Sequence, residues 1–501
     1  MAIDKAALVR EQLDETQQGW LLGPRDVKKD KYIDLWIVVC KKEMVKWVVY
    51  SLLIAFVVIG VPIIVAKMMP KPKEPVLLSD EYTVALRLAL EFFNAQKYST
   101  NPDDEYCWQR PEDMNYPRPV LTSTSAPDLG SEVAAALAAA SLVFTEEDTA
   151  YSTKLVKAAK TAYRFATESG QQAPYSSGNQ QIARFYNSTG YWDEFIWASA
   201  WLFYATGNYT YLSRATDPRV YQNANASFLK RPDSRVFSWD NKLPAAQLLL
   251  SRIRVFLNPG YPYEDMLKEF HANTDINMCS YLRQFNVFNW TKGNFICSNL
   301  QPASVNRHLF LLLRRAGGLA QLNRGRPRSL QYAANAAFLA SLYADYMNDS
   351  QIQCCFRHHQ PNLSLVQINY ILGANPGNMS YLVGYGKRYP KHVRHRGAST
   401  PSNGRDYSCT GGWTWRDSKA ANPNVITGAM VGGPDKYDRF FDERRNGNYT
   451  EPTLAGNAGL VAALVSLTSS GGGVGVDRNT IFSAVPSLRS NKTPPPSNWH
   501  P

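Results

Sequence analysis

Two carboxylates near the C-terminus have a spacing that suits acid–base chemistry on sugars. Asp442 and Glu451 lie nine positions apart in the stretch RFFDERRNGNYTEPTLAGNAG, residues 439–459. Hydrolysis of a glycosidic bond needs one carboxyl group that stays protonated and donates to the leaving oxygen, and a second that stays charged. Spacing alone also has a plainer interpretation, because most such pairs are solvated surface charges.

The residues around this pair, and five further segments, resemble glycoside hydrolase family 9, the plant endo-1,4-β-glucanases. Within 439–459 the resemblance rests on Phe440 with Asp442, on Glu451-Pro452-Thr453 and on Asn457-Ala458. The other segments are 107–114 (CWQRPEDM), 191–195 (YWDEF), 237–242 (FSWDNK), 380–386 (SYLVGYG) and 395–399 (HRGAS). Together with the N-terminal anchor described below, they resemble the membrane-anchored, Korrigan-type members over most of residues 10–490.

The resemblance implies a role for each carboxylate. Glu451 would be the general acid, which requires a pKa raised by partly apolar, carboxylate-rich surroundings. Asp442 would match the second active-site carboxylate and orient the site by accepting hydrogen bonds. The predicted reaction is inverting hydrolysis of cellulose-like β-1,4-glucan, and we expect neither a cofactor nor a metal.

Aromatic side chains are expected to supply the rest of the site. Sugar rings have apolar C–H faces that stack on tryptophan or tyrosine, although core packing is the common alternative for any single tryptophan. The predicted substrate-binding residues are Trp108, Arg110, Trp239, His395 and Arg396. Trp192, Trp413 and Trp415 are further candidates.

The chain departs from the family pattern at two positions near the predicted acid. The family has an aromatic residue four positions before the acid, where this chain has Gly447. Its His-x-Arg motif has a histidine where this chain has Arg394, so only His392 or His395 could replace that histidine.

A larger departure is the missing water-activating base. In the family a long segment follows the helix that ends at Lys97, and it carries an Asp-Ala-Gly-Asp motif whose aspartates hold and deprotonate the attacking water. That motif occurs nowhere in this chain, and nothing places Asp103 or Asp104 in its role. Residues 294–316 resemble an insertion and 351–361 a replacement. We therefore predict an internal deletion near 97–98, and a mis-spliced or mis-predicted gene product is one hypothesis for it.

The N-terminal region contains a predicted membrane span. Residues 47–66 are 20 consecutive residues without a charge. At about 1.5 Å per residue, a helix of this length crosses the hydrocarbon core of a bilayer. Lysines are more frequent before the span than after it, which favours a cytosolic N-terminus. The predicted domains are a cytosolic tail (1–46), a signal anchor (47–66), a linker (67–80), a catalytic domain (81–490) and a Pro-rich tail (491–501).

Glycosylation sequons support the same orientation, because such acceptors matter only on the lumenal side. All of them follow the span: Asn187, Asn208, Asn225, Asn289, Asn348, Asn362, Asn378, Asn448 and Asn491. The chain is therefore predicted to be a single-pass type II protein of the plasma membrane, Golgi or endosomes, with its catalytic domain lumenal or extracellular. Residues 32–35 (YIDL) and 21–22 (LL) resemble sorting signals.

Charge and cysteine content argue against several other function classes. The net charge is +12, but a lumenal chain has no access to nucleic acid, so we predict no nucleic-acid partner. Seven cysteines are too few for a disulfide scaffold, and the pairing of the six lumenal ones stays open. Cys354-Cys355 with His358-His359 resembles half a metal site without the second half that zinc needs.

Helical patterns dominate the lumenal part. Helices are predicted over 79–96, 128–144, 154–168, 192–205, 245–256, 330–348 and 454–467. Repeated helix pairs indicate an all-α bundle or toroid. The resemblance implies an (α/α)6 barrel, a six-hairpin toroid that the deletion leaves incomplete by about two helices, plus the transmembrane helix.

Three functions remain open at this point. The first is an endo-1,4-β-glucanase that acts in cell-wall formation, with an association with a cellulose-synthesising complex implied only by the resemblance. The second is a membrane protein that binds glucan but has lost its base. The third is a non-functional product whose opened barrel exposes its core.

Overall fold

The structure is a computed structural model, and it divides the chain into two compact units, 1–78 and 79–501. It describes residues 32–34, 39–41, 46–47, 50–51, 81–95, 108, 125–168, 172–228, 234–293, 318–350, 360–408, 410–468 and 481–485. Most of the predicted span 47–66 lies outside these residues, as do Arg110, both junction aspartates and the predicted insertion at 294–316. Among the residues described, no helix is both long and apolar enough to cross a bilayer.

The N-terminal unit contains two short strands, β1 (Tyr32–Asp34) and β2 (Val39–Lys41), which pair antiparallel. Tyr32 lies opposite Lys41 and Ile33 opposite Cys40. The all-α prediction concerns the lumenal part, and no secondary structure is predicted for this tail. Its β-branched and aromatic residues favour an extended backbone, and two runs of three residues are too short for a sequence pattern to reveal.

The second unit is helical. Its helices are α1 (Glu81–Ala95), α2 (Pro127–Val143), α3 (Thr149–Glu168), α4 (Gln180–Ala183), α5 (Trp192–Thr206), α6 (Tyr209–Ala215), α7 (Pro218–Phe228), α8 (Leu243–Phe256), α9 (Glu264–Ser280), α10 (Leu330–Asp349), α11 (Gln360–Ile371), α12 (Arg396–Ser399), α13 (Trp413–Asp417), α14 (Gly447–Thr450) and α15 (Leu454–Thr468). A short 3-10 helix, Arg283–Phe285, follows α9. All seven predicted helices are confirmed, with small shifts at their ends.

Packing orders these helices into a row. The central helices α2, α5, α8, α10 and α15 pack in succession, each against the next. A second layer lies outside them, with α3 against α2, α9 against α8, α11 against α10 and α1 against α15. This hairpin arrangement is the one that the helical pattern predicts.

Residue types explain the close packing of the row. Helix α2 is rich in alanine, and the buried Ala134, Ala135 and Ala138 let its neighbours approach closely. At the other end, a Cβ on Gly459 of α15 would lie 2.0 Å from the side-chain oxygen of Asn335 on α10. Only glycine permits this contact, so α15 is fixed against α10 directly after the candidate acid.

Candidate functional site

Glu451 lies at the junction between α14 and α15. Its backbone is extended, which ends the short helix α14. The buried Thr450 before it donates a hydrogen bond from its hydroxyl to the carbonyl of Glu443, at 3.1 Å. The hydroxyl of Thr453 accepts from the backbone N–H of Gly456 at 3.0 Å and so caps α15. The signature residues on both sides of Glu451 thus fix its backbone.

The surroundings of Glu451 differ from the prediction. The Arg328 guanidinium donates to Glu451 Oε2 and forms an ion pair with it. The side chains of Glu451 and Arg328 are 26% and 34% exposed. A guanidinium favours the ionised carboxylate, whereas the predicted apolar, carboxylate-rich cleft would favour the protonated acid. The expectation about these surroundings is therefore wrong, because the turn before α10 brings an arginine to this place.

A second arginine, Arg394, is joined to the segment of Glu451. Arg394 donates its backbone N–H to the carbonyl of Thr450 at 3.2 Å, which joins its loop to the segment of Glu451. Its guanidinium carbon lies 5.3 Å from the centre of the Trp108 ring. Trp108 is fully buried, and its indole N–H donates to Ser399 Oγ at 2.8 Å. In this structure Trp108 is thus a support for Arg394, and its ring is not available to stack on a sugar.

Asp442 holds a neighbouring loop. Its carboxylate accepts the backbone N–H groups of Lys391 and His392, at 2.7 and 3.0 Å, and lies 3.1 Å from His392 Nδ1. The other ring nitrogen of His392 lies 3.0 Å from the carbonyl of Lys419. Both ring nitrogens of His392 thus lie within hydrogen-bond distance of oxygen atoms. Asp442 accepts hydrogen bonds as predicted, and they position the loop that leads to Arg394.

His395 and Arg396 lie at the start of α12. His395 Nδ1 accepts the backbone N–H of Ala398 at 3.2 Å and caps this short helix. Burial, with a smaller effect of the Arg396 charge, lowers the pKa of His395 to about 4. His395 is therefore neutral near pH 7, and Arg396 is buried beside it. The sugar-binding role of both residues stays a prediction.

Trp239 lines a pocket with a volume of about 240 Å³, and Glu451 is not among the residues that line it. The Trp239 ring contacts Tyr186 edge to face, with the ring centres 5.4 Å apart. Arg326 and Tyr332 line the same pocket, and Arg326 is two positions from the Arg328 that binds Glu451. The pocket thus offers an aromatic surface and polar groups on the loop that reaches the candidate acid.

A buried charged cluster supports the segment of Trp239. Lys242 donates from Nζ to the carbonyl of Trp239 at 2.6 Å and lies 2.9 Å from a carboxylate oxygen of Glu132. The backbone N–H of Lys242 donates to Asp193 at 2.7 Å. Burial raises the pKa of Asp193, and burial together with the Asp193 charge raises the pKa of Glu194 well above its usual range. The cluster joins α2, α5 and the start of α8.

The sequence explained the structural role of Asn457 only in part and did not indicate that of Arg444. Asn457, part of the signature, is buried and links the backbone of Met430 and of Gly428 to α15, at 2.9 and 2.7 Å. Arg444 is also buried and donates to the carbonyls of Trp415 and Ser418, at 2.7 and 2.8 Å. Both fix backbone around the site. Arg444 and Arg328 had no distinctive sequence signal, because arginines in loops are usually solvated.

The predicted glycosylation sites can be placed in part. Six of them are exposed: Asn187, Asn208, Asn225, Asn289, Asn378 and Asn448. Asn491 and the side chains of Asn348 and Asn362 lie outside the described residues, and so do five of the six lumenal cysteines. Exposure leaves the six sites accessible, and their modification stays a prediction.

Comparison with known proteins gives one family. The model of glycosyl hydrolase family 9 matches residues 80–464. Endoglucanase 12 of Oryza sativa subsp. japonica is 46% identical over 623 residues, which cover 100% of this chain and 96% of the relative. Endoglucanase 25 of Arabidopsis thaliana is 42% identical, over 100% of this chain and 95% of the relative.

Solved structures agree with this match. The endoglucanase of the termite Nasutitermes takasagoensis has a TM-score of 0.54 at 25% identity, over 78% of this chain and 84% of its own. The cellulase Cel9M of C. cellulolyticum in complex with cellobiose has a TM-score of 0.53 at 27% identity, over 77% and 83%. The helical fold of the second unit is therefore similar to that of solved cellulases.

Proposed function

The chain belongs to glycoside hydrolase family 9, and from this we propose that it acts on β-1,4-glucans as an endoglucanase. Glu451 is the proton donor to the glycosidic oxygen, the mechanism is inverting, and the product serves cell-wall formation. The observation that carries this proposal is the loop of Arg326 and Arg328, which joins the Trp239 pocket to Glu451. A solved relative with this fold was crystallised with cellobiose, a fragment of such a glucan.

One measurement on the expressed chain tests this proposal. Hydrolysis of soluble carboxymethylcellulose is compared between the unchanged chain, Glu451→Gln and Glu443→Gln. Glu443 is exposed in the same segment, so its substitution is the matched control. We expect loss of activity in Glu451→Gln only, by about a hundredfold or more, the lower range for a positioned acid. Unchanged hydrolysis in Glu451→Gln would contradict the assignment of the acid.

A second candidate function is glucan binding without hydrolysis. It is favoured by the absence of the Asp-Ala-Gly-Asp motif from the sequence, since an inverting enzyme needs a base across from its acid. Titration with cellotetraose by calorimetry distinguishes the two. Binding that depends on Trp239, together with no release of sugar from any variant, would favour the second function.

An internal deletion explains the missing base. The alignment with the rice relative extends over 623 positions and takes in the whole chain of 501 residues, which leaves about 122 positions without a residue of this chain. The gap predicted near 97–98 falls between α1 and α2, at the two ends of the helix row. Two further helices there would complete the family's barrel.

Apolar surface at one end of the row also supports this deletion. Leu129 and Val133 of α2 and Phe165 of α3 are 53%, 44% and 41% exposed. With Lys154 and Lys157 they border an open cavity of about 630 Å³. Monomeric proteins rarely leave such a patch uncovered, and a missing helix would cover it.

Sequencing the transcript across the codons for residues 90–130 tests the deletion. We expect a longer message that encodes about 122 further residues, including the Asp-Ala-Gly-Asp motif. A single transcript that matches the present chain would contradict a gene-model error. Restored hydrolysis after insertion of the corresponding segment of the rice relative would then show that this segment supplies the missing base.

The membrane topology is proposed on the uncharged run 47–66 and on the sequons, all of which follow it. The full-length relatives align with the N-terminal region as well, whereas Endoglucanase 2 of Arabidopsis thaliana aligns with 73% of this chain. We place the catalytic domain outside the cytosol, at the plasma membrane, Golgi or endosomes, where a cellulose-synthesising complex is a possible associate. Treatment of intact microsomes with protease and with peptide N-glycosidase tests this: the glycosylated domain should be protected until detergent is added.

A further inference from the structure

Two arginines surround the carboxylate that the reaction needs as an acid. We propose that Arg328 and Arg394 form a clamp that holds Glu451 as a carboxylate in the chain without substrate. The consequence for catalysis rests on the acid role proposed above: Glu451 donates a proton only after the clamp opens. The clamp itself stands on the geometry alone.

The first half of the clamp is Arg328. It takes a left-handed backbone conformation, with φ +62°, which is strained for a residue other than glycine. The following turn is fixed by Ser329, whose hydroxyl donates to the carbonyl of Pro434 at 3.1 Å, and by the N–H of Leu330, which donates to Gly432 at 3.3 Å. This backbone turn directs the guanidinium to Glu451 Oε2.

The second half is Arg394, and it depends on Gly447. A Cβ built on Gly447 would lie 2.8 Å from Arg394 Cδ, which is closer than carbon atoms pack. The same point lies 3.3 Å from Arg394 Nε and 3.2 Å from Glu451 Oε2, so these two atoms are within about 6.5 Å of each other. The two positions at which this chain departs from the family pattern near the acid are therefore in contact, and the glycine makes room for the arginine.

Other charged groups nearby are already bound. On the segment of Glu451, Asp442 is held by Lys391 and His392, and Arg444 is held by backbone carbonyls. Among the residues that the structure describes, the guanidinium groups of Arg328 and Arg394 lie near the Glu451 carboxylate. A cation within about 4–6 Å favours the charged form of a carboxylate, whereas donation of a proton needs the neutral form.

A double-mutant cycle measures the clamp without requiring activity. Urea unfolding of the unchanged chain, Arg328→Gln, Glu451→Gln and the double variant is followed at pH 8 and pH 4. At pH 8 we expect a coupling of about fivefold in the unfolding equilibrium constant, the upper end for an exposed ion pair, because both side chains are partly buried. At pH 4 the coupling should be smaller, because the carboxylate charge is reduced. At pH 8 a cycle with Arg328→Lys in place of Arg328→Gln should show that lysine keeps part of the interaction with Glu451.

Arg324→Gln is the matched control, since Arg324 lies on the same loop, is exposed and also has a positive φ. It should show no coupling to Glu451→Gln. A coupling below twofold at pH 8 for Arg328, or one equal at both pH values, would overturn the clamp. Absence of glucan hydrolysis in the same preparations would contradict the proposed function and leave this result unaffected.

The second arm tests the contact between Gly447 and Arg394. Gly447→Ala should lower the melting temperature of the unchanged chain, because the added Cβ meets Arg394. In an Arg394→His background, which removes that side chain, the same alanine should cost clearly less. An equal loss in both backgrounds would show that Arg394 does not occupy the space beside Glu451.

Discussion

Two regions of this protein hold paired carboxylates, and they are built in opposite ways. Asp193 and Glu194 are fully buried on α5, with pKa values raised by burial. Asp442 and Glu451 are about a quarter exposed and each contacts a basic side chain. A raised pKa is often taken as a sign of a catalytic acid. Here the raised values belong to the pair that supports the fold, and the signature carboxylates are held by basic groups.

The buried pair has a physical explanation that involves no substrate. Asp193 Oδ1 and Glu194 Oε2 are buried, and no residue in the described part of the chain donates a hydrogen bond to either oxygen. Two carboxyl groups that share one proton resolve this, because the protonated Glu194 donates to Asp193. Lys242 is the cation of this cluster, and it offsets the remaining carboxylate charge while it forms an ion pair with Glu132. A pKa raised by desolvation therefore does not by itself identify a catalytic acid. The carboxyl group must also be accessible from a cleft.

Removing the cation of the buried cluster should have the largest effect. Lys242→Met leaves the Asp193 carboxylate without its charge partner inside the core, which costs about 3–5 kcal/mol of the free energy of unfolding. Urea unfolding at pH 7 measures this. Lys268→Met, at an exposed position on α9, is the control and should change little. A loss below about 1 kcal/mol would indicate that the cluster is open to water.

The second-largest effect on stability should come from the titration of Glu194. Its folded pKa is raised, so its contribution to stability is fully present below the unfolded pKa and is lost as the pH rises through the folded one. In that window, stability falls by up to about 1.4 kcal/mol per pH unit. Glutamine imitates the protonated form, so Glu194→Gln should remove this fall. Melting temperatures at pH 4, 6 and 8 test it, with the exposed Glu147→Gln as control. Parallel curves for Glu194→Gln and the unchanged chain would refute proton sharing.

The sequence predicted the long helices because each has a periodic apolar face or a run of alanine, and these patterns are local. It missed α9 and α11, whose faces mix polar and apolar residues, and the short β1 and β2. In the site, Glu451 and Asp442 were found from the signature. Their partners were not, because Arg328 is 123 positions away from Glu451 and contacts it only through the packing of α10 on α15. Burial of Trp108 could not be predicted for the same reason.

The smallest effect is expected on the exposed side of the comparison, at Asp442. Asp442→Asn keeps one oxygen for a backbone N–H but presents an NH2 group to the other, and it removes the charge beside His392. Because water reaches this carboxylate, we expect a loss of only about 1 kcal/mol. The loop that Asp442 holds continues to Arg394. The free energy of cellotetraose binding should therefore weaken by more than the free energy of unfolding does. Asp406→Asn, at an exposed position, is the matched control. A loss as large as that of Lys242→Met would mean that both carboxylate regions support the fold in the same way.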